Sequence, residues 1–213
     1  MSTFKAVSAV TRVLVQLINV NSEIDQLAVS EHPEKFFNND DDRINVHLYH
    51  IKENQHLRNI NAPYRDSNYV KTSPAFISLD LYYCIMTNSQ STLLNEWMLG
   101  HVMVRFFENA VISKNFIQSI ENNAYGLDFT NVKLSTENIE LLKISMENLS
   151  LDEASKVWAM YGSKYRPCAY YKVSVVLMKS DKEIYPGPPV KDYTVTVLPH
   201  NPILIESVGN DEN

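Results

Sequence analysis

Residues 75–87 read A-F-I-S-L-D-L-Y-Y-C-I-M-T. Ile77, Leu79, Leu81, Tyr83 and Ile85 alternate with Phe76, Ser78, Asp80, Tyr82, Cys84 and Met86. Strict period two over this length predicts a strand with one apolar face and one mixed face. Aliphatic and aromatic residues on the first face suit a sheet packed on helices. Thirteen residues make a long strand, so the stretch belongs at the centre of its sheet rather than at an edge. No catalytic or cofactor motif lies on it.

On the N-terminal side, residues 44–52 give a second strand. Ile44, Val46 and Leu48 share one face with His50; Asn45, His47 and Tyr49 share the other with Ile51. His47 and His50 are three apart, so on a strand they point to opposite sides and cannot hold one ion together. Phe4, Val7, Val10, Leu14, Leu17 and Ile18 recur at helical spacing and predict a helix over 3–21. The run N-N-D-D-D at 38–42 superficially resembles a calcium loop. It lacks the central Gly and the bidentate Glu, and reads as a solvated turn.

On the C-terminal side, Leu94, Met98, Val102 and Phe106, with Leu99 and Met103, predict a helix over 92–109. Ser113 is read as the cap of a shorter helix carrying Phe116, Ile117 and Ile120. Residues 140–147 alternate again, with Leu142, Ile144 and Met146 on one side. Ser150-Leu-Asp-Glu153 fits a capping box and starts a helix whose predicted buried face is Leu151, Ala154, Val157, Trp158 and Tyr161. A last long strand follows Pro167, with Ala169, Tyr171, Val173, Val175 and Leu177 opposing Cys168, Tyr170, Lys172, Ser174, Val176 and Met178. This order predicts an α+β sandwich, a largely antiparallel sheet with helices packed on a face. Five of the nine prolines fall between Pro186 and Pro202. We therefore divide the chain into an α+β domain at 1–179 and a proline-rich extended C-terminal arm at 180–213.

Composition narrows the function classes. The 213 residues are 45% apolar, enough to bury a core, and carry a net charge of −6 with no basic run. A phosphate-tracking nucleic-acid surface is disfavoured. No apolar run approaches the roughly 20 residues a membrane span needs. The N-terminus lacks the basic and apolar regions of a signal peptide. Cys84 and Cys168 read as reduced thiols within strands. No dinucleotide or phosphate loop, nucleophile elbow, H-E-x-x-H or C-x-x-C occurs. No catalytic residue, metal ligand or cofactor is expected.

The loop at 53–74 spans twenty-two residues without strong periodicity. A connection of this length is a binding loop or a solvated one. It carries Arg58, Arg65, Tyr64 and Tyr69, residue types enriched at protein interfaces.

Three blocks carry a family resemblance: I-N-V-H-L-Y-H-I-K-E-N-Q-H-L-R-N-I-N-A-P-Y-R at 44–65; L-D-L-Y-Y, then L-L-N-E-W-M-L-G-H-V-M at 93–103; and M-E-N-L-S-L-D-E-A-S-K-V-W-A-M-Y at 146–161 with the strand after it. As an ordered set they resemble the tail-terminator, or cap, proteins of phage-tail-like extracellular contractile injection systems, of the antifeeding prophage and Photorhabdus virulence cassette type. The resemblance implies a non-enzymatic cap with a phage tail-terminator-like fold. Its protomers would form a homo-oligomeric ring, expected to be a hexamer. That ring terminates inner-tube and sheath assembly at the distal end and helps set particle length. The implied partners are further copies of the chain, the tube protein and the sheath protein, with no nucleic acid and no membrane. Assembly would occur in the bacterial cytoplasm before the particle is released. The loop match runs through Asn54, Arg58, Asn59, Pro63 and Arg65. With Tyr64 and Tyr69 from the loop, and Tyr193, Val195 and Val197 from an alternating scrap in the arm, these are the candidate partner-binding residues. The competing reading is a small-molecule-binding or enzymatic domain using the 53–74 loop.

Overall fold

The computed structural model describes residues 6–20, 27–57, 76–113 and 141–179. In chain order they form α1 (Ala6–Asn19), β1 (Ala28–Val29), α2 (Pro33–Phe37), β2 (Arg43–Glu53), β3 (Phe76–Asn88), α3 (Thr92–Glu108), β4 (Val111–Ser113), β5 (Leu141–Glu147), α4 (Leu151–Met160) and β6 (Cys168–Lys179). The strands make one sheet in the order β1-β2-β3-β6-β5-β4. Only β1 and β2 are parallel; the other pairings are antiparallel. The alternating stretch that opened the sequence is β3. It sits inside the sheet, flanked by β2 and β6 along nearly its whole length.

The first face of the sheet carries Leu81, Tyr83 and Ile85 from β3 and Ala169, Tyr171 and Val173 from β6. Val10, Val13, Leu14, Leu17 and Ile18 of α1 and Met98, Val102 and Phe106 of α3 pack on it. Their spacing of three and four places each apolar stripe on one side of its helix. Phe106 meets Tyr171 edge-on with centroids 4.8 Å apart. The fully buried Tyr83 hydroxyl is 2.9 Å from the Thr11 hydroxyl, which gives this apolar layer one satisfied polar contact.

The sheet is covered on both faces, not one. Cys84, Met86 and Tyr170 bury on the second face beneath Phe36 of α2 and Ala154 and Trp158 of α4. The mixed face of β3 is apolar over its last turns, so it needs its own cover. Removing the buried Trp158 side chain would cost about 3–5 kcal/mol. Arg166 ties this layer down: its guanidinium lies 4.3 Å from the Phe37 ring and donates to Asn88 Oδ1 at 2.9 Å. Two asparagine side chains act as amide clamps. Asn19 pairs with both backbone groups of Ala28, and the buried Asn45 does the same with Glu31. These clamps hold the segment that bears the two-residue β1.

Two β-bulges alter the faces read from strict alternation. In β2 the register steps from Leu48 opposite Tyr83 to His50 opposite Tyr82, leaving Tyr49 as the extra residue. In β6 Val173 opposes Leu81 and Val176 opposes Leu79, so Ser174 and Val175 share one position. Val173 and Val176 therefore both reach the first core, whereas plain alternation assigns them to opposite faces. Three further positions differ from the sequence reading. Ile77 is 52% exposed at the start of β3, Met146 is half-exposed near the end of β5, and Leu151 is 72% exposed on α4. Leu151 is the first residue of its helix and precedes the turn that reaches the sheet. Ser113 ends β4, paired with Leu141; the helix read beyond it lies outside the described residues.

Candidate functional site

Of the candidate partner-binding residues, Asn54 is described; Arg58, Asn59, Tyr64, Arg65, Tyr69, Tyr193, Val195 and Val197 lie outside the described residues. Asn54 is the first residue after β2, at the base of the long loop. Its amide nitrogen donates to both Asp80 carboxylate oxygens at 3.1 and 3.2 Å. Its side-chain oxygen accepts from the backbone of His56 and Leu57 at 3.1 and 3.3 Å. Its backbone N–H donates to Ser78 O at 2.8 Å. Such an Asn turn fixes the direction in which the chain leaves the sheet. Asn54 is thus the rigid root of the loop.

Beside this root, the part of the second face not covered by α2 and α4 carries a polar aromatic strip. Tyr49 packs edge-on against Tyr82 and Tyr170, and His50 lies 5.5 Å from Tyr82. The bulge at Tyr49 puts His50 on this face. The premise that His47 and His50 point apart is therefore corrected. Lys172 bridges to Glu147 at 3.1 Å, which raises the lysine pKa. Burial, reinforced by the nearby Cys84, Glu147 and Tyr82, pushes the Tyr49 hydroxyl up to about 12, so it stays protonated. At the covered end His47 packs edge-on against His32 and Tyr161, at 6.1 and 5.3 Å. Burial depresses its pKa, against a backbone hydrogen bond to Glu31, and the His32 charge adds to the depression.

Cys84 and Cys168 meet beneath α4 as free thiols. The Cys84 pKa is raised, first by its hydrogen bond to Cys168 and then by burial. Trp158 Nε1 donates to Cys168 Sγ at 3.3 Å. The bond between the two thiols lowers the Cys168 pKa to about 6 against its burial, with hydrogen bonds from Tyr170 and Trp158 adding to the depression, so the two sulfurs titrate as a pair that shares one proton. Among the described residues no group of three His, Cys, Asp or Glu could hold a metal ion.

A surface absent from the sequence reading lies on α3. Of the predicted stripe on its inner side, Met98, Leu99, Val102 and Phe106 are buried, Leu94 is partly buried and Met103 is exposed. Its outer side carries Leu93, 77% exposed, and Phe107, 84% exposed, together with exposed Trp97 and Val104. Trp97 stacks on His101 at 5.5 Å. Next to Phe107 opens a cavity of about 420 Å³, lined by Met103, Val104, Phe106, Ile144, Met146 and Tyr171 among others. Its lining is almost wholly apolar, and it lacks the convergent polar groups of a substrate site. The signal was present in the chain: 93, 97, 100, 104 and 107 are spaced four, three, four and three apart. The stripe at Leu94, Met98, Val102 and Phe106 masked it, because both stripes lie on one helix.

Among the described residues the geometry offers surfaces for partners. A family profile described as the Pvc16 N-terminal domain matches residues 9–192. Two solved structures share the fold. One is the sheath/tube terminator, in the extended state, of PVC, an extracellular contractile injection system; it is 16% identical with a TM-score of 0.57, over 92% of this chain and 65% of that one. The other is the tube-terminating cap of the anti-feeding prophage, 18% identical with a TM-score of 0.54, over 89% of this chain and 59% of that one. The chain thus spans less than two thirds of the length of either. No curated protein matches it.

Proposed function

The chain belongs to the Pvc16 N-terminal domain family, and from this premise we propose that it is a structural, non-enzymatic cap protomer of a contractile injection system. The observation that carries this reading is the family match over residues 9–192, joined to a fold shared with two tube or sheath terminators. In this reading identical protomers close a ring, a hexamer, on the end of the inner tube and sheath. Closed cyclic symmetry lets one chain match a tube end. The ring stops both polymers growing and so helps set particle length. Protomers assemble in the bacterial cytoplasm and leave with the particle.

The loop rooted at Asn54 is the proposed contact with tube or sheath, through Arg58, Asn59, Tyr64, Arg65 and Tyr69. Arg can form bidentate contacts and Tyr supplies flat apolar area. The chain divides in this proposal at 179, and the arm at 180–213 adds a strand through Tyr193, Val195 and Val197 to a neighbouring sheet edge. The test is to mix the purified full chain with tube and sheath protein and examine the product by electron microscopy. Rings seated on particle ends are expected. Arg58→Ala with Arg65→Ala should abolish seating while the protomer's thermal unfolding stays the same. A strict monomer that never associates with tube or sheath overturns the proposal.

A further inference from the structure

The outer side of α3 is built for a second helix. Leu93, Trp97, Gly100, Val104 and Phe107 form a seam of the four-three spacing by which two helices pack side by side. At about 1.5 Å per residue the seam runs for roughly 21 Å. A surface helix of a finished globule normally turns polar residues outward. Here the large side chains face out, and no described residue covers them.

Gly100 lies at the middle of the seam. Glycine in a helix interior costs about 1 kcal/mol relative to alanine. Within the protomer nothing lies within 4 Å of where its Cβ would stand, and its backbone φ is ordinary. Neither a close internal approach nor a turn explains it. A close approach from outside does.

We infer that α3 packs antiparallel against α3 of a second copy of this chain, about a two-fold axis at Gly100. The seam is self-complementary under that operation. Leu93 meets Phe107, Trp97 meets Val104, and Gly100 meets its own mate where the two backbones come closest. The Leu93 of one copy also reaches the cavity beside Phe107 of the other. The charges agree with the pairing. Glu96 falls opposite Met103, and Glu108 falls at the N-terminal end of the other α3, where the helix dipole favours a carboxylate. No two like charges face each other across the seam. An isologous contact of this kind is independent of the cap reading. Head-to-tail contacts close a ring, and a two-fold contact joins free chains, or whole rings, in pairs.

The experiment uses the free full-length chain, without tube or sheath protein. Light scattering should give twice the chain mass, or an even multiple where rings also form. Val104→Glu with Phe107→Glu should halve that mass while far-UV circular dichroism and a cooperative melt still report a folded chain, because both side chains already face water in the single chain. Gly100→Cys should form a 100–100 disulfide under mild oxidation, identified by peptide mapping, whereas Lys156→Cys on α4 should not cross-link. A wild-type mass of one chain overturns the inference. So does association that survives the two glutamates, or a Gly100→Cys chain that stays uncross-linked. Failure to seat on tube or sheath would instead overturn the cap reading and leave these outcomes as they stand.

Discussion

His47 is held in its neutral form by burial, with the charge of His32 acting in the same direction. Its folded pKa lies below the ordinary value of 6.5, so the unfolded chain binds that proton more readily. Stability contributed by the neutral ring is then present above about 6.5 and is lost as pH falls through that value towards the folded pKa. We expect the unfolding temperature to drop between pH 7.5 and pH 5.5, and His47→Gln to flatten the drop. An unchanged slope in the variant would assign the pH dependence to other groups. The position of His47 on its strand was readable from alternation. Its neighbours were not, because His32 arrives on α2 and Tyr161 from the end of α4, both brought by packing rather than by sequence spacing.

The elements separate what local sequence encodes from what it does not. The capping box of α4 is entirely local and was legible. Ser150 Oγ accepts from the Glu153 N–H at 3.3 Å, and the Ser150 N–H donates to the Glu153 carboxylate at 2.9 Å. The Ser150 hydroxyl also donates to that carboxylate at 2.7 Å, and this bond, with the backbone one, depresses the Glu153 pKa. Ser150→Ala should lower stability by about 0.5–2 kcal/mol in a denaturant titration. An effect below that range would mean the helix start is held by Trp158 packing alone. β3, α3 and β5 were likewise found by period alone. The bulges at Tyr49 and Ser174–Val175 were invisible, since a bulge leaves composition and alternation intact and exists only as a register against the partner strand. β1, α2 and β4 are too short for any period to show, and tertiary contacts supply their order. The loop of the candidate site was legible as a gap in periodicity and its root as an asparagine. The outer seam of α3 was in the sequence at heptad spacing but hidden by the core stripe beside it.

For the whole molecule, the described residues fill an apolar core on each face of the sheet. Truncation after Ser180 should therefore leave a folded, soluble protein with a cooperative melt. If the arm adds a strand to a neighbour, particles assembled with the truncated chain should lose their cap or grow to uneven lengths, measured on micrographs. Normal length from the truncated chain would remove the arm from length control. The charge of the molecule acts alongside this: at −6, free protomers repel weakly at long range, and raising the salt should speed their association.

The asparagine clamps on Ala28 and Glu31 also give the protein a chemical age. Asparagine is among the thermolabile residues, and hydrolysis of its amide replaces an N–H donor with a carboxylate oxygen. At the fully buried Asn45 that oxygen would face the Glu31 carbonyl. At Asn19, where the clamp is only partly buried, solvent would soften the same exchange. Asn45→Asp, made as a permanent mimic of the aged residue, should cost about 1–3 kcal/mol in a denaturant titration. The corresponding Asn19→Asp loss should be smaller. Were Asn45 to age in this way, the first softening is expected at the segment that its clamp on Glu31 holds.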